Sequence, residues 1–184
     1  MQKNYDADSI EVLKGLEGVR RRPGMYIGNT DELSGLHHMV QEVVDNSIDE
    51  ALAGHCRNIN VILYKDGSVS VEDDGRGMPI DRHKGEDIPA AEVIMTHLHA
   101  GAKFSQDTYK ISGGLHGLGV SVVNALSEKL ILRVCKDHKE YEMQFERGKT
   151  TEKLHEIGST KKKLKQNKEL TVKYVLTKVC ITGE

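Results

Sequence analysis

Surplus basic charge is the first thing this sequence lacks: 26 lysines and arginines stand against 28 aspartates and glutamates, a formal net charge of −2. A domain that grips nucleic acid carries a basic footprint, because neutralising phosphates supplies much of its affinity. If the parent protein handles DNA, this segment is not its main grip. Cysteine is scarce as well. Cys56, Cys135 and Cys180 are odd in number, widely spaced and in no metal-ligand pattern, which argues against a disulfide framework and fits free thiols in a reducing compartment. Long apolar runs are missing: nothing approaches the ~20 residues of a membrane span, and residues 1–10 are polar where a secretory leader would be apolar. The expectation is a cytoplasmic chain without membrane contact.

What is present is the composition of a globular protein. With 38% hydrophobic and 29% charged residues, the chain has enough apolar material for a core. Its 184 residues suit a single domain over positions 1–184, and no internal repeat is evident. Residues 11–22 place Val12, Leu13, Leu16 and Val19 at helical spacing and close on a basic triplet before Pro23. Residues 36–53 predict the longest helix, with Leu36, Val40, Val43, Val44, Ile48, Ala51 and Leu52 on one side. Ile59, Val61 and Leu63 alternate, Asp66-Gly67 supplies a hairpin turn, and Val69 and Val71 alternate again, which predicts a two-stranded unit. Helix returns over residues 90–98. Residues 100–119 are polar and glycine-rich with no apolar period, as expected of a long mobile loop that closes over a ligand. A helix is expected over 120–126 and strands over 130–135 and 140–146, while the lysine-rich 161–168 reads as a solvated loop. The fold class is α/β, an α+β two-layer sandwich with helices on one face of a mainly antiparallel sheet.

Three constellations could carry chemistry. Winding residues 36–53 at about 100° per residue gathers His38, Glu42, Asp45, Asn46 and Asp49 into one sector opposite the apolar stripe. Most polar faces are simply solvated, yet such faces usually mix signs, and this segment holds no lysine or arginine. The row also suits a hard divalent cation held through oxygens, with one carboxylate left to polarise a water. The second is Glu72-Asp73-Asp74-Gly75-Arg76-Gly77-Met78-Pro79, at the end of a predicted strand. A strand-end carboxylate followed by glycines can accept from a ligand's amino group, although Asp-Gly and Met-Pro would also end a strand as a plain turn. The third is Ser112-Gly113-Gly114-Leu115-His116-Gly117-Leu118-Gly119, running into a helix. Its backbone amides suit phosphates, or else it is a flexible hinge. It lacks the Gly-Lys-Ser/Thr of a P-loop, and residues 105–110 are too polar for a Rossmann strand. Lys103 and Lys110 flank it within reach of a polyphosphate.

In this order the strings are far more specific than any one of them. Glu42 and Asn46 on the helix face, then DDGRGMP, then GGLHGLG resemble the Bergerat ATP-binding fold shared by type II DNA topoisomerases, heat-shock protein 90 chaperones, MutL repair proteins and sensor histidine kinases. RRRPGMYIG, GLHHMVQEVVDNSIDEALAG, AAEVIMTHLHAGAKF and YKISGGLHGLGVSVVNALS narrow the resemblance, over residues 5 to about 158, to bacterial type II topoisomerase ATPase subunits, gyrase B ahead of topoisomerase IV. The resemblance implies that Glu42 is the general base that activates the attacking water, His38 its orienting partner and Asn46 the magnesium ligand. It makes Asp73 the acceptor for the adenine amino group, aided by an ordered water, with Gly77 and Thr96 near that water. Glu50, Arg76, Met78, Pro79 and Ile94 fall in the pocket wall. Lys103, Tyr109 and the run Gly114, Leu115, His116, Gly117, Leu118, Gly119 and Val120 fall in a lid over ribose and triphosphate. Tyr5 and Ile10 match an arm that reaches into a partner protomer's site, so ATP binding should promote homodimerisation. ATP and Mg2+ are the implied cofactors; the gyrase A subunit and double-stranded DNA are implied partners met through the rest of the protein.

The chain departs from the family pattern in three places. HAGAKF stands where the family reads HAGGKF, so Ala102 removes a lid glycine and should stiffen that hinge. Lys136 replaces an arginine that contacts aminocoumarin inhibitors, keeping charge but losing bidentate geometry. Residues 161–184 lack the family's closing string; Thr171 stands nearest to its adenine-contacting threonine but is not assigned that role. The resemblance also implies that the chain stops before the transducer domain, whose lysine contacts the terminal phosphate, and before the DNA-cleaving machinery. Alone it should bind ATP better than it hydrolyses it. Two other functions compete: an ATP-switched clamp or chaperone of the same fold, against which RRRPGMYIG and YKISGGLHG speak, and a nucleotide-binding regulatory module without hydrolysis, which Glu42 disfavours.

Overall fold

The computed structural model describes residues 13–100 and 119–159, with the backbone alone of residues 172–179. The helix expected over 11–22 is realised only as Glu17–Arg21 (α1), because Gly15 turns the chain just before it at a φ of +56°. Pro23 ends it and then opens a second helix, Gly24–Ile27 (α2), since proline's fixed φ suits a first helical turn. Ser34–Leu52 (α3) is the long helix. The two-stranded unit follows as Ile59–Leu63 (β1) and Val69–Asp73 (β2), then Ala90–Thr96 (α4) and Gly119–Leu126 (α5). Ser127–Lys136 (β3), Lys139–Glu146 (β4), Lys149–Ser159 (β5) and Val172–Val179 (β6) complete the order.

All strand pairings are antiparallel, in the order β1-β2-β6-β3-β4-β5. Two strands escape the sequence reading. β5 is polar and mostly exposed, so it has no alternation to betray it. β6 lies in the stretch that departs from the family strings, yet it joins the middle of the sheet, pairing with both β2 and β3.

The core follows from the register. Val71, Leu130, Leu132, Val134, Met143 and Phe145 fall on one face of the sheet, where they are buried with Met39, Val43, Met95, Val122, Val123 and Leu126 from α3, α4 and α5. The expected layer of helices on one sheet face is therefore present. Arg20 ties α1 to α5 by donating from Nη1 to the Ala125 carbonyl at 2.8 Å. No helix among the described residues is long and apolar enough to cross a membrane.

The buried face of α3 differs from the expected stripe. Gly35, Met39, Val43, Ser47 and Asp49 are buried, while Ala51 is exposed and Leu52 is 60% exposed. The helix is turned by roughly a third of a revolution from its most apolar side, given about 100° per residue. Glu42, Asp45 and Asn46 thus stand half-buried beside the core, His38 stays exposed, and Asp49 leaves the solvent altogether.

Phe145 is fully buried. Truncating it to alanine removes an aromatic ring from both layers and should cost about 3–5 kcal/mol in urea unfolding. Ile157→Ala, at a position 42% exposed on β5, should stay within about 0.5 kcal/mol of the parent.

Candidate functional site

The helix α3 carries the first of the three sequence constellations, touches the second and meets the end of the third. In its second half, Ser47 donates from Oγ to Asp73 Oδ2 at 2.8 Å. Asp73 closes β2, is only 5% exposed, and accepts the Gly75 amide on Oδ1 at 2.9 Å. Burial pushes the Asp73 carboxyl above the ordinary carboxylate range, with Glu50 and Asp74 adding repulsion, while the two hydrogen bonds pull it back. Gly75 is a glycine for reasons of space: a Cβ there would lie 2.8 Å from Asp73 Oδ1 and 3.1 Å from the Glu50 side chain. A carboxylate anchored on both oxygens beside a bare backbone can accept from a ligand's amino group.

One turn further along α3, Glu50 holds Arg76. Its Oε2 accepts from Arg76 Nε at 3.0 Å and from the Arg76 amide at 3.1 Å, and its Oε1 accepts from Nη2 at 2.8 Å. This fork fixes the Gly75-Arg76-Gly77 turn onto the helix, and Gly77 takes a φ of +73°. Asp74 fastens the other side, accepting from the Arg57 and Asn58 amides and from Asn58 Nδ2. Burial tends to raise its pKa, but the Asn58 and Arg57 amides, the Asn58 side chain and the Cys56 thiol outweigh it and hold the group at about 2.

At the middle of α3, Glu42 Oε2 accepts the Gly119 amide at 3.2 Å. That contact joins the acidic row to the end of the glycine-rich string. Asn46 donates its amide nitrogen to the Glu42 carbonyl at 2.9 Å, which turns its side-chain oxygen the opposite way. His38 lies one turn before Glu42 on the same helix, exposed. Val120, at the start of α5, is buried. Among the described residues no cluster of three or more His, Cys, Asp or Glu could hold a metal unaided. Asn46 and Glu42 do offer hard oxygens on a half-buried stretch of helix, a donor set that fits magnesium when phosphates and water complete its shell.

The remaining predicted residues take more ordinary positions. Ile94 and Met78 pack against the core, and Pro79 is exposed. Thr96 donates to the Glu92 carbonyl at 2.7 Å and lies 3.0 Å from His97 Nδ1. Lys136 makes a single-point contact with Asp81 Oδ2 at 2.9 Å, lowering the pKa of that carboxyl. Tyr5, Ile10, Ala102, Lys103, Tyr109, Lys110, Gly114, Leu115, His116, Gly117, Leu118 and Thr171 lie outside the described residues, as do most of the loop expected over 100–119 and all of 161–168. Sequence reasoning passed over Ser47 and Asp81, and it named Asp74 only as part of the strand-end string. A hydroxyl four residues beyond Val43, in series with Met39, was the available sign for Ser47.

Residues 31–159 match the family model described as histidine kinase-, DNA gyrase B-, and HSP90-like ATPase. Among curated proteins, the DNA gyrase B protein of Caulobacter vibrioides is 64% identical over 156 residues, covering 85% of this chain and 19% of that protein. Its counterpart from Rickettsia typhi is 66% identical over 149 residues, 81% of this chain and 18% of the relative. That from Helicobacter pylori is 60% identical over 159 residues, 86% and 20% respectively. The chain thus spans about a fifth of these relatives' length. Among solved structures, the 43K ATPase domain of Thermus thermophilus gyrase B in complex with an aminocoumarin superposes with a TM-score of 0.72 at 42% identity, covering 89% of this chain and 39% of that one.

The Asp74 clamp should be visible in acid. Its folded-state pKa of about 2 lies below the ordinary 3.8, so its stabilisation is complete above the higher value and is lost as pH falls through the lower one. Urea midpoints taken between about pH 5 and pH 2 should fall more steeply for the parent than for Asp74→Ala, which has lost the clamp at every pH.

Proposed function

The chain belongs to the family of histidine kinase-, DNA gyrase B- and HSP90-like ATPases, and from that premise we propose that it is the ATP-binding, ATP-hydrolysing domain of a bacterial gyrase B protein, powering ATP-dependent DNA supercoiling in the whole enzyme. One observation carries the reading. A single helix engages the strand-end carboxylate through Ser47, the DDGRG turn through Glu50 and the entry to α5 through Glu42. From Ser47 to Glu42 is about 7.5 Å along the axis, so the anchor of the adenine acceptor and the hydrolytic carboxylate stand five residues apart on one helix.

In this reading Asp73 accepts from the adenine amino group, and the Glu50–Arg76 fork and Gly77, with Thr96, Met78, Pro79 and Ile94 around them, shape the base end of the pocket. Glu42 takes the proton of the attacking water, and His38 orients it. Asn46 is the protein's ligand to Mg2+, which when bound neutralises phosphate charge. Lys103, Tyr109 and residues 114–120 supply contacts to ribose and triphosphate, and Tyr5 and Ile10 form the arm exchanged on homodimerisation. The gyrase A subunit and double-stranded DNA are engaged through the rest of the protein, in the cytoplasm.

Glu42→Gln keeps the shape of the side chain and its capacity to accept from Gly119, so ATP affinity should be nearly unchanged. Turnover should fall roughly 10²–10⁴-fold, the usual contribution of a general base. His38→Ala should give a smaller loss of the same kind. Affinity is measured by calorimetry on this chain, and hydrolysis in a gyrase B protein of full length able to dimerise. Normal turnover in Glu42→Gln would overturn the catalytic role, and an equal loss of ATP affinity would make Glu42 a binding residue instead.

A further inference from the structure

Among the buried residues of α3, Ser47 carries the one hydroxyl, in series with Met39 and Val43 at four-residue steps and fully removed from solvent. Its neighbours on that face serve the core; Ser47 does not. A buried hydroxyl costs free energy unless it is bonded, and this one donates to Asp73 Oδ2 at 2.8 Å. The other oxygen of Asp73 takes the Gly75 amide. An ionised carboxylate offers about two acceptor positions on each oxygen, so each oxygen has one position committed and its direction set. The surroundings otherwise oppose a charged acceptor here: burial comes first, then the carboxylates of Glu50 from α3 and Asp74 from the adjoining turn. The nearby Cys56 thiol contributes no charge of its own, since burial raises its pKa to about 11.

We infer that Ser47 is a positioning residue for purine recognition, fixing the Asp73 carboxylate as an acceptor aimed at the 6-amino group of adenine. The inference rests on the reading of Asp73 as the adenine acceptor and extends it to the residue that makes this acceptor selective. Without the hydroxyl, Asp73 keeps only the Gly75 donor. It can then turn about its side-chain bonds or take up a proton, and a protonated carboxyl presents a donor to a donor. The selectivity between a purine that bears an amino group and one that does not therefore depends on Ser47 as well as on Asp73.

Ser47→Ala removes one oxygen and places a strong helix former in a helix interior, so the fold is retained. The chain is titrated with the imido analogue of ATP and with its counterpart lacking the 6-amino group; the ratio of the two affinities reports what the amino group contributes. General loosening of the helix would weaken both ligands alike and leave the ratio unchanged. Ser47→Ala should lower the ratio by about tenfold, the size expected when a hydrogen bond to a charged group is lost. Asp73→Asn should lower it at least as far, and Ser47→Ala added to Asp73→Asn should lower it no further, because the two act as one unit. An unchanged ratio in Ser47→Ala beside a collapsed ratio in Asp73→Asn overturns the role of Ser47 and leaves the adenine acceptor standing. An unchanged ratio in Asp73→Asn overturns both.

Discussion

Keeping a carboxylate ionised at the end of β2, at 5% exposure, constrains the structure around it. Burial pushes the Asp73 carboxyl up, and only donors beside it favour its charged form, so its surroundings must admit them. Ser47 has to stand on the inward face of α3, which fixes the helix's rotation. Gly75 has to lack a side chain so that its amide can approach. With those two settled, Glu50 falls one turn further along α3 and catches Arg76, while Asp74, next in sequence, points the opposite way and fastens the turn to residues 57 and 58.

The ion pairs of the site differ in what they contribute. Glu50 and Arg76 meet through three hydrogen bonds, with the glutamate side chain only 13% exposed. A fork of that kind supplies geometry as well as charge. The Lys136–Asp81 pair is a single contact with an aspartate 81% exposed, in the class of surface pairs that contribute little. The difference follows from location: one pair shapes the turn after β2, and the other bridges β3 to an exposed position following that turn.

Alternation of two and spacing of three and four were enough to read α3, β1, β2, α4, α5, β3 and β4, because apolar residues recur in them at the element's own period, even in β1, which is mostly exposed, and α5, which is buried almost throughout. β5 is wet along most of its length and offered no such period. β6 followed a lysine-rich stretch without the family's strings, and its membership of the sheet depends on partners distant in sequence. The rotation of α3 was hidden for a different reason. Its most apolar side is not its buried side, since the burial of Ser47 and Asp49 answers to polar partners that hydropathy does not weigh. His38, Glu42 and Asn46 were legible because acid, amide and histidine without any balancing cation is an unusual face for a helix. Ser47 was not, because a serine is ordinary anywhere.

The position of β6 between β2 and β3 has a consequence for the order in which the chain can fold. β2 and β3 do not pair with each other; each pairs with β6. As the polypeptide leaves the ribosome, β1 with β2 and β3 with β4 and β5 can form as two separate ribbons, each with a bare edge ready to pair with any strand it meets. The strand made after all five of them is the seam between them. Until it is inserted, the carboxylate at the end of β2 has no strand on its far side, and the two ribbons become one sheet only when this last strand arrives.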